Sequence, residues 1–146
     1  MVTVMTAVPS TAPQRAATRV LLVDDSPDFL RAAERVAAGQ PGVEVAGLAR
    51  SGAEALAKVA ALGPDVVLLD AVIPVMSGFE ATRRIKQASD APFVIIVTMH
   101  DGAEFVEAAR EAGADGFVTK PDLCAVLPDL LRRVATASPG EKGGVP

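Results

Sequence analysis

The chain is predicted to adopt an α/β fold, a doubly wound parallel sheet with helices on both faces. Three observations lead there. Short segments rich in Val, Ile and Leu alternate five times with segments of helical character. The apolar segments run continuously, as strands buried on both faces do. Capping residues and glycines stand at the expected boundaries between the two kinds of segment.

Taken in order, the first strand is Arg19–Val23. The helix after it, Pro27–Ala38, has Ser26 as N-cap, Pro27 at its first position and Gly39 as a left-handed C-cap. The second strand, Val43–Ala49, leads to the helix Gly52–Leu62, where Ser51 and Glu54 have capping-box spacing and Gly63 closes the end. The third strand, Asp65–Asp70, precedes the helix Gly78–Gln87. The fourth, Pro92–Thr98, precedes Ala103–Ala112, with a weaker box from Asp101 and Glu104 and with Gly113 at its end. The fifth strand, Asp115–Thr119, leads to the last helix, Asp122–Ala135, which Pro128 should bend. Five strand–helix units in succession imply a parallel sheet covered on both faces. Residues 1–18 lack a clean period and residues 138–146 are rich in Gly and Pro, so both ends are expected to be flexible tails around one domain spanning 19–137.

Composition narrows the chemistry. The 146 residues suit a single domain, and 50% hydrophobic against 22% charged residues are enough for a packed core. With five Phe and neither Trp nor Tyr, that core is aliphatic. One cysteine, Cys124, excludes an internal disulfide and a Cys-rich zinc site, and one histidine, His100, excludes a His cluster. Cys124 reads as a small buried residue of the last helix, and His100 as a solvated loop residue. A net charge of −4 disfavours generic attraction to nucleic acid or anionic lipid, and Arg83, Arg84, Lys86, Arg132 and Arg133 read as solvated helix faces. No apolar stretch has membrane-spanning length, and no basic region followed by an apolar segment opens the chain, so a cytoplasmic location is expected.

In sheets of this kind the chemistry lies beyond the carboxyl ends of the strands. Those ends carry Asp24 and Asp25, Asp70, Thr98 and Lys120. Three carboxylates in one pocket repel one another unless a hard divalent cation sits among them, and Mg2+ is such a cation. Asp70, partly neutralised, then offers a nucleophilic oxygen to a phosphoryl group. Lys120 and the metal would spread the charge of that group, and Thr98 can donate a hydrogen bond to it. Each residue has an ordinary structural explanation as well. Asp24 and Asp25 could cap a helix, but Ser26 already holds that place. Thr98 alone is a strand residue and Lys120 alone a loop charge; the grouping gives them weight.

The segments VLLVDDSP (20–27), VVLLDAVIPVMSG (66–78), VIIVTMHD (94–101) and ADGFVTKP (114–121) resemble response-regulator receiver domains of two-component signalling. Four such pieces in order are specific, and the resemblance covers residues 19–137. It implies a flavodoxin-like (βα)5 three-layer sandwich with a five-stranded sheet in the order 2-1-3-4-5. It implies Asp70 as phosphoacceptor, with Asp25, Asp70 and the Val72 backbone carbonyl ligating Mg2+ and Asp24 acting through a coordinated water. It makes Lys120 the partner of the phosphoryl group, Thr98 the switch hydroxyl and Phe117 the switching aromatic. It also implies a cis Lys120–Pro121 bond. Phe117 has a plainer reading as a core residue. Ser77 stands where Asp is common, and Met99 where a small residue is frequent.

The implied function is a phosphorylation-dependent switch, and not a conventional enzyme beyond its own phosphoryl transfer and dephosphorylation. Its partners would be a histidine kinase or phosphotransfer protein and a downstream protein target, with a phosphorylation-dependent homodimer possible. The TMHD run resembles receivers of the NarL/LuxR type, which precede DNA-binding domains. No such domain follows Pro121 in this sequence, so the output is expected to be a protein contact unless the chain is a fragment. Two other classes compete: a receiver-fold binding module independent of phosphorylation, and a small-molecule phosphatase or phosphotransferase using an aspartyl-phosphate. The first would be favoured by a missing site residue. The second wants another acid two residues after Asp70, where Val72 stands.

Overall fold

The computed structural model describes residues 17–136. The expected tails fall outside them, except for Ala17 and Thr18; Thr18 opens the first strand, its N–H donating to the Gly42 carbonyl at 2.7 Å. The elements are β1 (Thr18–Val23), α1 (Pro27–Ala38), β2 (Val43–Ala49), α2 (Gly52–Leu62), β3 (Val66–Asp70), α3 (Gly78–Ile85), β4 (Phe93–Thr98), α4 (Ala103–Ala112), β5 (Gly116–Thr119) and α5 (Lys120–Thr136). All strand pairs are parallel, and the sheet order is β2-β1-β3-β4-β5.

The continuous apolar runs are explained by two cores, one on each face. Val20 and Leu22, Val66 and Leu68, and Ile95 and Val97 point to one side, against Leu30 and Ala33 of α1 and Leu123, Leu127 and Leu131 of α5. The intervening residues Leu21, Val23, Val67, Leu69, Val94 and Ile96 point to the other, against α2, α3 and α4. A strand's period of two divides one run between two cores. The three central strands are buried in this way, apart from Arg19 of β1. The edge strands β2 and β5 are largely half-exposed, which the expectation of burial on both faces overstated for them.

Several boundaries differ from expectation for local reasons. Asp65 precedes β3 because its carboxylate caps the Arg19 N–H at 2.8 Å. Asp115 precedes β5 because its buried carboxylate accepts the Val94 N–H at 2.8 Å and the Lys86 ammonium at 2.7 Å. α3 stops at Ile85, two residues short of Gln87. α5 begins at Lys120, two residues early, and runs on past Pro128 to Thr136. Cys124 lies on its exposed side, since the buried face follows Leu123, Leu127 and Leu131.

The caps were mostly readable. Ser26 and Ser51 accept N–H bonds from Phe29 and Glu54 at 3.2 and 3.1 Å. The Glu54 carboxylate reaches the Arg50 N–H rather than that of Ser51. Gly63 and Gly113 are left-handed, with φ of 58° and 94°. Gly39 is not: its φ is −79°, and its N–H closes the helix end on Ala37 and Arg35 carbonyls. The left-handed residue comes later, at Gly42, with φ of 74°. The Asp101–Glu104 box does not form, because Gly102 takes the N-cap position of α4 without a side-chain bond.

The loop from Asp70 to α3 is tightly folded. Val75 has φ of 70°, and the Met76 N–H donates back to the Pro74 carbonyl at 2.8 Å, a γ-turn that a β-branched residue adopts only under strain. Gly78 then returns against the strand end, its N–H on the Ala71 carbonyl at 2.9 Å. A Cβ at Gly78 would lie 2.1 Å from the Asp70 carbonyl oxygen and 2.8 Å from Ala71 Cα. Neither atom can move without shifting β3. Gly78→Ala is therefore expected to destabilise the domain by about 3 kcal/mol, read as a lowered denaturant midpoint. An unchanged midpoint would show that the loop yields freely.

Candidate functional site

Strand order reverses between β1 and β3, and the crevice above that point is where such sheets place their sites. The registers bring the expected residues to it. Val23 pairs with Leu69, so Asp24 and Asp70 stand side by side at the next step. Asp70 pairs with Val97, leaving Thr98 one residue beyond, and Thr98 pairs with Thr119, after which comes Lys120.

Asp24 and Asp70 are buried, at 0% and 5% exposure, while Asp25 is exposed at the rim. One carboxylate oxygen from each of the three lies within 4.8 Å of the others. Asp24 Oδ1 accepts the Ser26 N–H at 2.9 Å, and Asp70 Oδ1 accepts the Val72 N–H at 3.2 Å. The Lys120 ammonium lies 2.7 Å from Asp24 Oδ2 and 3.3 Å from Asp70 Oδ2. Only the Asp70 contact has hydrogen-bond alignment; Asp24 Oδ2 is buried with a charge beside it and no hydrogen bond. An all-oxygen set with one oxygen so placed fits a hard divalent cation.

Burial pushes the Asp70 carboxyl up to about 6, helped by the neighbouring Asp24 charge and opposed by the Val72 N–H and Lys120. For Lys120, burial works to lower the pKa, but the contact with Asp24 and the charge of Asp70 outweigh it and raise it. The pocket thus holds more negative charge than one ammonium balances.

Thr98 is fully buried, and its Oγ1 accepts the His100 N–H at 3.1 Å. His100 is exposed as expected, yet its ring stacks on Phe105 of α4 with centroids 4.7 Å apart, an ordering the loop reading missed. Phe117 is half-buried and packs against the α2–α4 side core. It also borders an open groove of about 390 Å³ together with Asp122, Val126 and Leu130 of α5. Val72, whose backbone N–H meets Asp70 Oδ1, and Met99, which follows Thr98, both have exposed side chains. Ser77, read only as a departure from Asp, is the N-cap of α3, accepting the Glu80 N–H at 3.1 Å. The Lys120–Pro121 bond is trans, against the implied cis form; both residues belong to the first turn of α5. Phe29 also reaches the pocket, with Lys120 Nζ 4.4 Å from its ring centroid. Nothing in the local sequence marks it; only the adjacency of α1 and the β5 end reveals it.

The family model of the response regulator receiver domain matches residues 20–132. The chain belongs to that family. Among curated relatives, a protein-glutamate methylesterase/protein-glutamine glutaminase of Geobacillus kaustophilus is 42% identical over 127 residues, covering 82% of this chain and 36% of the relative. A protein of the same name from Myxococcus xanthus is 41% identical, again covering 82% and 36%. The chain thus spans about a third of the length of these relatives. Among solved structures, the receiver domain of NarL from Mycobacterium tuberculosis matches with a TM-score of 0.79 and 29% identity, over 86% of this chain and all of that one. The response regulator domain of Thermotoga maritima CheB matches with a TM-score of 0.75 and 31% identity, over 84% and 98%. The receiver fold and its 2-1-3-4-5 sheet are as expected. The likeness extends to both NarL/LuxR-type and CheB receivers. No helix among the described residues is long and apolar enough to cross a membrane.

The raised Asp70 pKa has a consequence for receiver stability. The folded carboxyl holds its proton more tightly than the unfolded one, whose ordinary value is 3.8. Its contribution is therefore fully present below about pH 4 and lost as pH rises through about 6. In chelated, metal-free protein, Asp70→Asn is expected to raise the melting temperature at pH 7.5 by a few degrees, with the gain shrinking toward pH 4.5. A melting temperature lowered at pH 7.5 would contradict this.

Proposed function

We propose that this chain is a phosphorylation-dependent switch of a two-component relay, in which Asp70 accepts a phosphoryl group from the phosphohistidine of a kinase or phosphotransfer protein. The observation that carries the reading is the pocket itself: three carboxylates within 4.8 Å of one another, with an ammonium 3.3 Å from Asp70. An Asp70 oxygen attacks phosphorus in line, the bond from phosphorus to the donor nitrogen breaks, and the imidazole leaves. Deprotonation of Asp70 above its raised pKa makes that oxygen available.

Asp24, Asp25, Asp70 and the Val72 carbonyl would hold Mg2+, which when bound neutralises charge on the phosphoryl oxygens. Lys120 pairs with one of those oxygens. Thr98 uses an oxygen lone pair for His100 and keeps its own proton to donate to another. Drawing Thr98 inward opens room for Phe117 to turn, and β5 with the flanking α4 and α5 becomes the changed surface read by a protein target or a second copy.

The reading describes a cytoplasmic module without its own turnover of substrate. A second reading of the output is favoured by the names of the curated relatives: the surface acts on an attached methylesterase domain, whose activity the receiver regulates.

Incubation with Mg2+ and acetyl phosphate is expected to add one phosphoryl unit to the intact mass, and Asp70→Asn to abolish the addition. Undiminished labelling of that variant would sink the assignment.

The lifetime of the phosphorylated state follows from the approach to phosphorus. Val72 flanks the pocket with an exposed side chain that can neither donate nor accept a hydrogen bond. Val72→Asn would give the attacking water an amide to lean on. Dephosphorylation after donor removal should speed up by up to about tenfold, on the order of 1 kcal/mol, with Mg2+ held constant. Equal or slower decay would place the control of lifetime elsewhere.

A further inference from the structure

We propose that Phe29 is a positioning residue for Lys120: its ring holds the ammonium at the lip of the acidic pocket and lets Lys120 share that pocket with a divalent cation. The proposal rests on the reading of Asp24, Asp25 and Asp70 as a cation site.

The pocket has a conflict built into it. Lys120 occupies the same oxygens, Asp24 Oδ2 and Asp70 Oδ2, that a divalent cation would recruit. Arrival of the cation withdraws carboxylate charge from Lys120 and adds a like charge close to it. The ammonium would then leave for solvent unless another attractive partner stays with it.

Phe29 is such a partner. Lys120 Nζ stands 4.4 Å from the ring centroid, within cation–π range. The Lys120 side chain is 17% exposed, so the interaction is partly desolvated and stronger than at a free surface. A benzene ring has no lone pair to ligate a hard cation, so it attracts the ammonium without competing for the metal. It is also fixed in place. Phe29 sits in the first turn of α1, its N–H on the Ser26 hydroxyl at 3.2 Å, and the Ser26 N–H is held by Asp24 Oδ1 at 2.9 Å. Pro27 stiffens the same turn. One short segment therefore carries both a carboxylate of the pocket and the platform for its lysine.

Without metal, the carboxylates alone hold the ammonium and the ring adds little. With metal, the ring is the partner that remains, so its removal weakens the metal-bound state more than the free one. Phe29→Leu is expected to lower Mg2+ affinity about two- to fivefold by calorimetry. Phe29→Tyr, which keeps a π face, should restore it. A packing role for Phe29 would act whatever stands at position 120, whereas the proposed role needs the ammonium. In a Lys120→Met background, Phe29→Leu should therefore leave Mg2+ affinity unchanged. A spectroscopic readout stands beside this: the Lys120 ε-methylene protons should be shifted upfield by the ring in wild type and Phe29→Tyr, with and without Mg2+, and not in Phe29→Leu. An equal loss of affinity in both backgrounds, no loss in either, or failure of Phe29→Tyr to restore it would overturn the proposal. So would Lys120 protons unaffected by the ring. If wild type binds no Mg2+, the cation-site reading and the sharing fall together, whereas normal Mg2+ binding without the upfield shift removes Phe29 alone.

Discussion

Carboxylate crowding at one edge of the sheet is the constraint on which the rest depends. Two buried aspartates and a third at the rim bring oxygens within 4.8 Å of one another, against a single ammonium. Such a grouping costs folding energy and survives only because the surrounding frame over-determines it. The backbone N–H groups of Ser26 and Val72 each satisfy one oxygen. Lys120 is delivered by the end of β5, and Asp70 by the middle of the sheet. The imbalance that makes the site costly is also what suits it to a hard divalent cation, whose charge would offset it.

The frame draws its rigidity from the three central strands, whose side chains feed two cores in alternation. That arrangement leaves the strand ends little freedom to drift, so the positions of Asp24, Asp70 and Thr98 follow from the register. The loops above are less uniform. Strain is concentrated between Asp70 and α3, where Val75 takes a left-handed φ of 70° and Gly78 packs where no side chain fits. The loop is thereby held close over the Asp70 carbonyl.

Much of this was legible in the sequence, and the reasons differ by residue. The strands were visible because continuous Val, Ile and Leu runs end at polar residues, and the carboxyl-end rule then placed Asp24, Asp25, Asp70, Thr98 and Lys120 together. Ser26 and Ser51 were readable as caps because capping is a local interaction. What escaped depends on contacts distant in sequence. Phe29 meets Lys120 across the gap between α1 and the β5 end. Asp115 leaves its strand for Lys86. Cys124 falls on the outer face because α5 turns Leu123, Leu127 and Leu131 toward the core. Gly39 and Asp101 failed differently: each had the right residue type for a cap, while the backbone nearby solved the same problem with a neighbouring glycine or a closing turn. Boundary chemistry has several solutions of similar energy, and composition alone does not choose among them.

The described contacts also limit how a change at Asp70 can travel. Thr98 does not stand alone: its hydroxyl accepts the His100 N–H, and the His100 ring lies flat on Phe105, which in turn leans on Phe79 of α3 at 6.3 Å between centroids. Under the proposed function, a shift of Thr98 toward a phosphoryl oxygen would pull on a backbone hydrogen bond and on a stacked ring pair anchored in α4. Either the stack slides with the loop and α4 moves, or the stack holds and the shift is resisted. Both outcomes would tie the energy of such a capture to the packing of α4 rather than to β4, which is buried throughout. The opposite neighbour, β5, is half-exposed and carries Phe117 beside an open groove, so it can move at lower cost. The fold thus separates a buried centre that positions Asp70 and Thr98 from a more exposed flank at β5.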